Sequence, residues 1–241
     1  MGESCESNLK RKRTLKPMKK MVVILVLTLI CIGCAHGAYN GTQGAGSRLN
    51  NLYVDKKIGA EYPPGLVMGS MFAYQDTNLS SGKICKVTMV VNKKKEFEKK
   101  IAYWIKVTRE EAHYFDIYDV DLNWIGSFAD GKELESAEPC IRVFKWPLWI
   151  GEKWSSEYTL REYSRGVHLH PSKIEVNVWT YEKVTVPAGT FNALRIQAGE
   201  ETVWYAPSIG WVVKEQIGSY GKDGWLLELV EYSIPHRIAG K

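Results

Sequence analysis

Three polar constellations in this chain have spacings that could do chemistry. His168-x-His170 places two imidazoles on one face of an extended segment, as two zinc ligands would stand. A zinc site needs a third or fourth donor, and no spacing singles out His113, Asp116 or Cys140 for that role. Two solvated histidines beside Pro171 at a strand end account for the pair, so no metal is expected. Asp119-x-Asp121-x-Asn123 opens like a calcium loop, with Asp130 at the twelfth position. Trp124 stands where such a loop needs glycine, and no bidentate Glu closes it. A hairpin turn between 114–118 and 124–128 uses the same polar residues. Ser70 follows Gly69, but no G-x-S-x-G elbow, phosphate loop or dinucleotide fingerprint is present. The remaining acids are expected on solvated strand faces. The reading is a non-catalytic chain without a cofactor.

Thiols and indoles are the other candidates. Cys85 and Cys140 follow Cys34, and in an oxidising compartment they form either a disulfide or two buried thiols. All nine Trp lie beyond residue 100. Trp146, Trp149 and Trp154 surround Pro147 and Gly151, which interrupt regular structure. With Trp204 and Trp211 they are the candidate lining of an apolar cavity or contact patch. Core packing is the competing use of such rings.

The elements that must position these residues read as strands. Ile101, Tyr103, Ile105 and Val107 alternate with Ala102, Trp104, Lys106 and Thr108; Ile174, Val176 and Val178 alternate with Lys173, Glu175 and Asn177. Leu194 and Ile196 do the same against Arg195 and Gln197. This period of two gives an inner and an outer face. Turn signals recur at 80–82, 92–95, 130–132, 164–166, 187–189, 207–210 and 221–224. Pro187-Ala188-Gly189 predicts a three-residue hairpin, with Pro187 at the first corner and Gly189 left-handed. The fold class is mainly β: a curved antiparallel sheet or half-open barrel over residues 52–236, with a tail at 237–241.

Charge divides the chain unevenly. Residues 1–33 hold seven of the 32 basic residues and two of the 27 acidic ones, so the rest is neutral. A neutral domain has no overall field for nucleic acid. The basic stretch leads into Met21–Gly33, thirteen mostly apolar residues that are too few to span a bilayer as a helix. A basic region, a short apolar run and a small residue before a cut make a secretory signal.

With Ile30-Cys31-Ile32-Gly33-Cys34, this segment resembles a bacterial lipoprotein signal, although Cys31 stands where that family prefers Leu. The resemblance implies cleavage after Gly33 and acylation of Cys34, anchoring the chain in a membrane. Ala35, in place of a retention aspartate, implies the outer membrane, facing the periplasm. Met18 opens a compact start, which leaves residues 1–17 as a candidate over-long gene call. The Gly-rich run from Ala35 to about Asn51 reads as a tether.

Val186-Pro187-Ala188-Gly189-Thr190-Phe191, then Thr202–Val212 with its Trp-Tyr-Ala-Pro-Ser-Ile-Gly, resemble a group of uncharacterised secreted bacterial β-domains. Trp146-Pro147-Leu148-Trp149-Ile150-Gly151-Glu152-Lys153-Trp154 is similar to another segment of that group. The resemblance implies a curved sheet like the half-barrels of periplasmic lipoprotein carriers, and it brings no catalytic residue. The expected product is a lipid-anchored binding module for an apolar ligand or lipid. The alternative is an envelope scaffold that contacts another protein, and an envelope hydrolase is the least supported reading. Mass spectrometry of detergent-extracted protein is expected to find acyl chains on Cys34; an unmodified N-terminus refutes the anchor.

Overall fold

The structure, a computed structural model, describes residues 58–163, 166–218 and 224–235. The signal segment, Cys34, the whole tether region and the tail lie outside the described residues. Strands follow one another without a helix among the described residues. In chain order they are β1 (Gly59–Ala60), β2 (Met71–Asn78), β3 (Ile84–Phe97), β4 (Lys100–Arg109) and β5 (Ala112–Asp119). Next come β6 (Trp124–Ala129), β7 (Lys132–Ile141), β8 (Leu148–Trp149), β9 (Lys153–Glu162) and β10 (His168–Val186). The last four are β11 (Gly189–Ala198), β12 (Glu201–Ala206), β13 (Trp211–Ile217) and β14 (Trp225–Ser233).

Twelve strands close into an antiparallel barrel in the order β10-β11-β12-β13-β14-β2-β3-β4-β5-β6-β7-β9, and β1 pairs with β8 apart from it. The antiparallel β fold is as expected, but the sheet closes where a half-open curve was anticipated. β9 makes the closure, pairing with β7 through Glu135–Glu138 and with β10 along its whole length.

Alternation sorts the side chains. Tyr103, Ile105 and Val107 are buried inside while Lys106 is exposed outside. Ile101, expected inside, is 49% exposed because β4 begins at the tip of a long hairpin with β3. Ile174, Val176, Val178, Leu194 and Ile196 are all buried as the pattern requires. Each such side chain contributes roughly 1.5–3 kcal/mol by leaving water. The segment between β7 and β9 also reaches the core through Phe144 and Leu148. Asn123 fastens it, donating to the Phe144 carbonyl at 3.0 Å and accepting from its N–H at 2.8 Å. Gly59 makes the β1–β8 pair possible, since a Cβ there would lie 1.9 Å from the Leu148 carbonyl oxygen.

Several turns differ from expectation. The lysine run at 92–95 is no turn: β3 continues to Phe97, absorbing a bulge between Val91 and Lys93. The chain reverses instead at Glu98 and Lys99, with φ of 48° and 64°. The 187–189 hairpin forms, but Val186 pairs with Gly189, so its loop is the two residues Pro187 and Ala188. The signals at 164–165 and 221–223 fall outside the described residues.

Two central residues with positive φ make the type I′ geometry that Asn-Gly adopts readily and β-carbons oppose. Replacing Glu98-Lys99 by Asn-Gly is therefore expected to raise unfolding free energy by roughly 1 kcal/mol, after the entropy cost of glycine. Urea denaturation of the double variant reads this, and a lower midpoint refutes it.

Candidate functional site

One end of the barrel carries an open cleft of about 510 Å³, lined by Pro63, Pro64, Leu66, Phe72, Pro207, Ile209 and neighbouring residues. Three irregular segments meet there: the approach to β2, the β12–β13 turn and the exit from β14, which adds Ile234 and Pro235. Proline explains why they stay out of the sheet, because it has no N–H to give to a ladder. In the β12–β13 turn the N–H groups of Ile209 and Gly210 both reach the Ala206 carbonyl. Gly210, at φ +65°, lies under Pro64, and a Cβ there would come within 2.6 Å of that ring. Ser70 and Ser208 are the side-chain hydroxyls of the lining, and with the backbone groups between them the wall is about equally polar and apolar.

The floor is Phe72, which is 1% exposed. Its ring stacks on Trp211 at 5.3 Å, and Trp211 meets Tyr118 edge-on at 5.7 Å. Trp211 is thus the sequence-predicted lining residue that adjoins this cleft. The others serve elsewhere. Trp146 packs against Phe144 and Tyr205 and donates to the Asp121 carbonyl at 2.9 Å. Trp149 sits in β8 opposite Gly59, and Trp154 donates to the Arg142 carbonyl. Trp204 points outward, donating to Glu182 at 2.8 Å. Alternation along β12 leaves Tyr205 in the core, and the irregularity beside it takes up the extra residue Val213 on β13.

The cysteines are unbridged. Cys85 on β3 lies beside Asp76 and Arg109, whereas Cys140 on β7 lies beside Asp119. With β4, β5 and β6 between their strands, the disulfide considered for them does not form in this structure. His168 and His170 face each other at 6.5 Å on β10, and among the described residues no metal-binding group of three donors forms. Asp119 is the turn residue expected, accepting from the N–H groups of Asp121 and Asn123.

Acidic side chains inside the barrel are what sequence reasoning missed. Asp76, Asp116, Glu135 and Glu201 are buried, contrary to the solvated role expected of the acids. Glu215 joins them from β13, in phase with buried Val213 and paired with buried Val203. Asp76 forms an ion pair with Arg109, and Asp116 accepts from Ser127. Tyr74, Tyr114 and Tyr118 share the space, and burial pushes all three phenols up. The signal was available: Tyr74-x-Asp76, Tyr114-x-Asp116-x-Tyr118 and Val213-x-Glu215 put each acid in phase with inward residues.

No protein-family model matches the chain, and no curated protein matches it. Among solved structures it is similar to a Bacteroides fragilis protein described as exported and of YmcC-like fold, at 15% identity and a TM-score of 0.42. That match covers 73% of this chain and 100% of that one. It is also similar to a Parabacteroides distasonis protein described as a lipoprotein, at 8% identity and a TM-score of 0.36, covering 72% and 99% respectively.

The interior acids make stability depend on pH. Burial, and then the charges of Asp76 and Asp116, lift Glu215 from its ordinary 4.5 to about 7. Burial lifts Asp116 from 3.8 to about 6, and Glu201 beside Glu215 well above its usual range. A carboxyl with a raised folded pKa holds its proton longer in the native state than in the unfolded chain. Its contribution is fully present below the unfolded value and is lost as pH rises through the folded one. The melting temperature is therefore expected to fall between pH 4.5 and about 7, with Glu215→Gln flattening the decline. A rising profile in that window contradicts the assignment.

Proposed function

We propose that this chain is a lipid-anchored protein of the bacterial envelope whose barrel is a non-catalytic binding module for an apolar ligand. The cleft carries the reading: about 510 Å³, walled by Leu66, Val67, Ile209 and Ile234 and framed by four prolines. Volumes of this order suit small ligands, and apolar side chains alternating with polar backbone groups suit an amphipathic one with an apolar body. The N-terminal segment supports the location. Its lipoprotein-like cut before Cys34 and the Gly-rich stretch after it would hold the barrel near a bilayer. Ala35 favours the outer membrane and a periplasmic setting.

An interaction module for another envelope protein is the second reading. It draws on Trp179 and Tyr181, exposed by 53% and 42% on β10.

Native mass spectrometry of the purified chain is expected to show a co-purifying lipid, and a clean apo mass across preparations counts against the carrier. Ile209→Asp puts a charge on the half-buried cleft wall and is expected to weaken binding of a fluorescent fatty-acid probe by about tenfold or more, since an unpaired carboxylate there must be desolvated. Equal binding by variant and parent, with matched melting temperatures, moves the ligand out of this cleft.

A further inference from the structure

The outer face of the β3–β4 hairpin carries an aromatic cluster that the cleft does not use. Trp104 lies among Phe97, Phe115 and Phe128, with ring centroids 5.7–6.0 Å from its own. Phe97 stands edge-on to both Trp104 and Phe128. Together the rings lie over Ala102 and Ile117 on the outer side of strands whose inner side is the core, and both are fully buried.

Lysines stand over these rings. Lys93 Nζ is 4.7 Å and Lys95 Nζ 4.1 Å from the Trp104 ring centroid, and Lys93 also stands 5.2 Å from Phe115. From 93 to 100 the hairpin carries five lysines against Glu96 and Glu98. Among the described residues none of those lysines has a carboxylate oxygen within ion-pair distance. Asp119 is the acid nearest in register, in the row Lys95–Ala102–Asp119, and Glu133 stands opposite Phe128 on β7. Beneath the lysines, Trp104 Nε1 is buried and has no acceptor among the described residues. Two ammonium groups stand on one aromatic face without a carboxylate partner, and an anionic oxygen is the ligand that answers both.

We propose that this lysine–tryptophan face docks on the phosphate groups of anionic phospholipids in the bilayer that holds the anchor. The proposal rests on the lipid-anchor reading. A tether from Cys34 to Ile58 spans roughly 80 Å when extended, so every face of the barrel can reach the bilayer. Tethering keeps the face at high effective concentration over the headgroups. Rings with lysine stems laid across them are the composition of a membrane interface, where the stem stays apolar and the ammonium meets phosphate.

The test uses the full-length chain in vesicles of phosphatidylcholine, with or without phosphatidylglycerol. Amine-reactive labelling is followed by mass spectrometry at Lys93, Lys95 and the exposed Lys183 on β10, six strands round the barrel. Labelling of Lys93 and Lys95 is expected to slow by roughly threefold or more in the anionic vesicles and to recover in high salt, where screening shortens the field to a few ångströms. Lys183 should label equally in both. Equal rates at Lys93 and Lys95, or the same slowing at Lys183, overturn the proposal. Protection by inorganic phosphate alone, matching that of the vesicles, assigns the site to a free anion and overturns the headgroup assignment. Trp104→Phe with unchanged melting temperature should reduce the protection, and unchanged protection removes the indole from the site. Flotation with neutral vesicles reports the anchor separately. A chain that does not float refutes the anchor and this proposal with it, whereas a floating chain with equal labelling refutes the docking face alone.

Discussion

An open sheet presents a row of unpaired N–H and C=O groups at each edge, and ring closure is the arrangement that removes both rows. Closure here depends on β9, which takes β7 on one side and β10 on the other. The β7–β9 contact is short, running from Glu135–Glu138 to Thr159–Glu162. The chain between them must therefore leave the barrel wall and return. It does so through Arg142–Glu152, held by the reciprocal Asn123–Phe144 hydrogen bonds and by Gly151 and Glu152 bonding to Val178. Once the ring is shut, each residue is committed to inside or outside, and a shift of one position would invert the whole pattern.

That commitment explains the carboxyl groups in the core. Asp116 and Glu215 occupy inward positions that the ladder cannot turn outward without misplacing Tyr114, Tyr118 and Val213. A carboxylate inside an apolar ring is costly, and neutralisation is the usual escape. Asp76 is treated differently because Arg109, on the far side of β3, reaches its carboxylate. Even so, burial outweighs the guanidinium and leaves the Asp76 pKa above its ordinary value. Glu201 and Glu215 are buried neighbours that shift each other's titration, and two buried carboxyls so placed favour sharing a proton over a double charge.

Period-two alternation was legible wherever a strand lay inside the wall, as in Ile174–Val178 and Tyr103–Val107, because burial on one face forces it. It failed at the rim, where Ile101 extends past the barrel and no longer faces the core. The lysine run at 92–95 looked like a turn by composition, yet the strand continued through a bulge that no local rule marks. Closure itself was not legible, since it rests on pairing between strands distant in sequence. The candidate tryptophans illustrate the same limit. Which ring meets which depends on register, and plain alternation along β12 turns Trp204 outward between buried Val203 and Tyr205 while Trp211 on β13 goes in. The interior acids were readable in principle from their phase with tyrosine and valine, a pattern that composition conceals.

The cleft and the acidic core share one piece of packing. Phe72 is the cleft floor, and behind it Trp211 and Tyr118 form a column whose far end lies beside Asp116. Tyr74, next inward on β2, ties that strand to β13 by donating to the Val212 carbonyl at 2.7 Å. Such a floor cannot shift without disturbing stacked rings that are close-packed on every side. The rim is preset as well, since Pro63, Pro64, Pro207 and Pro235 hold backbone angles already fixed by their rings. The ligand proposed for the cleft would meet a rigid floor under a preset rim, so its entry would cost the protein little entropy.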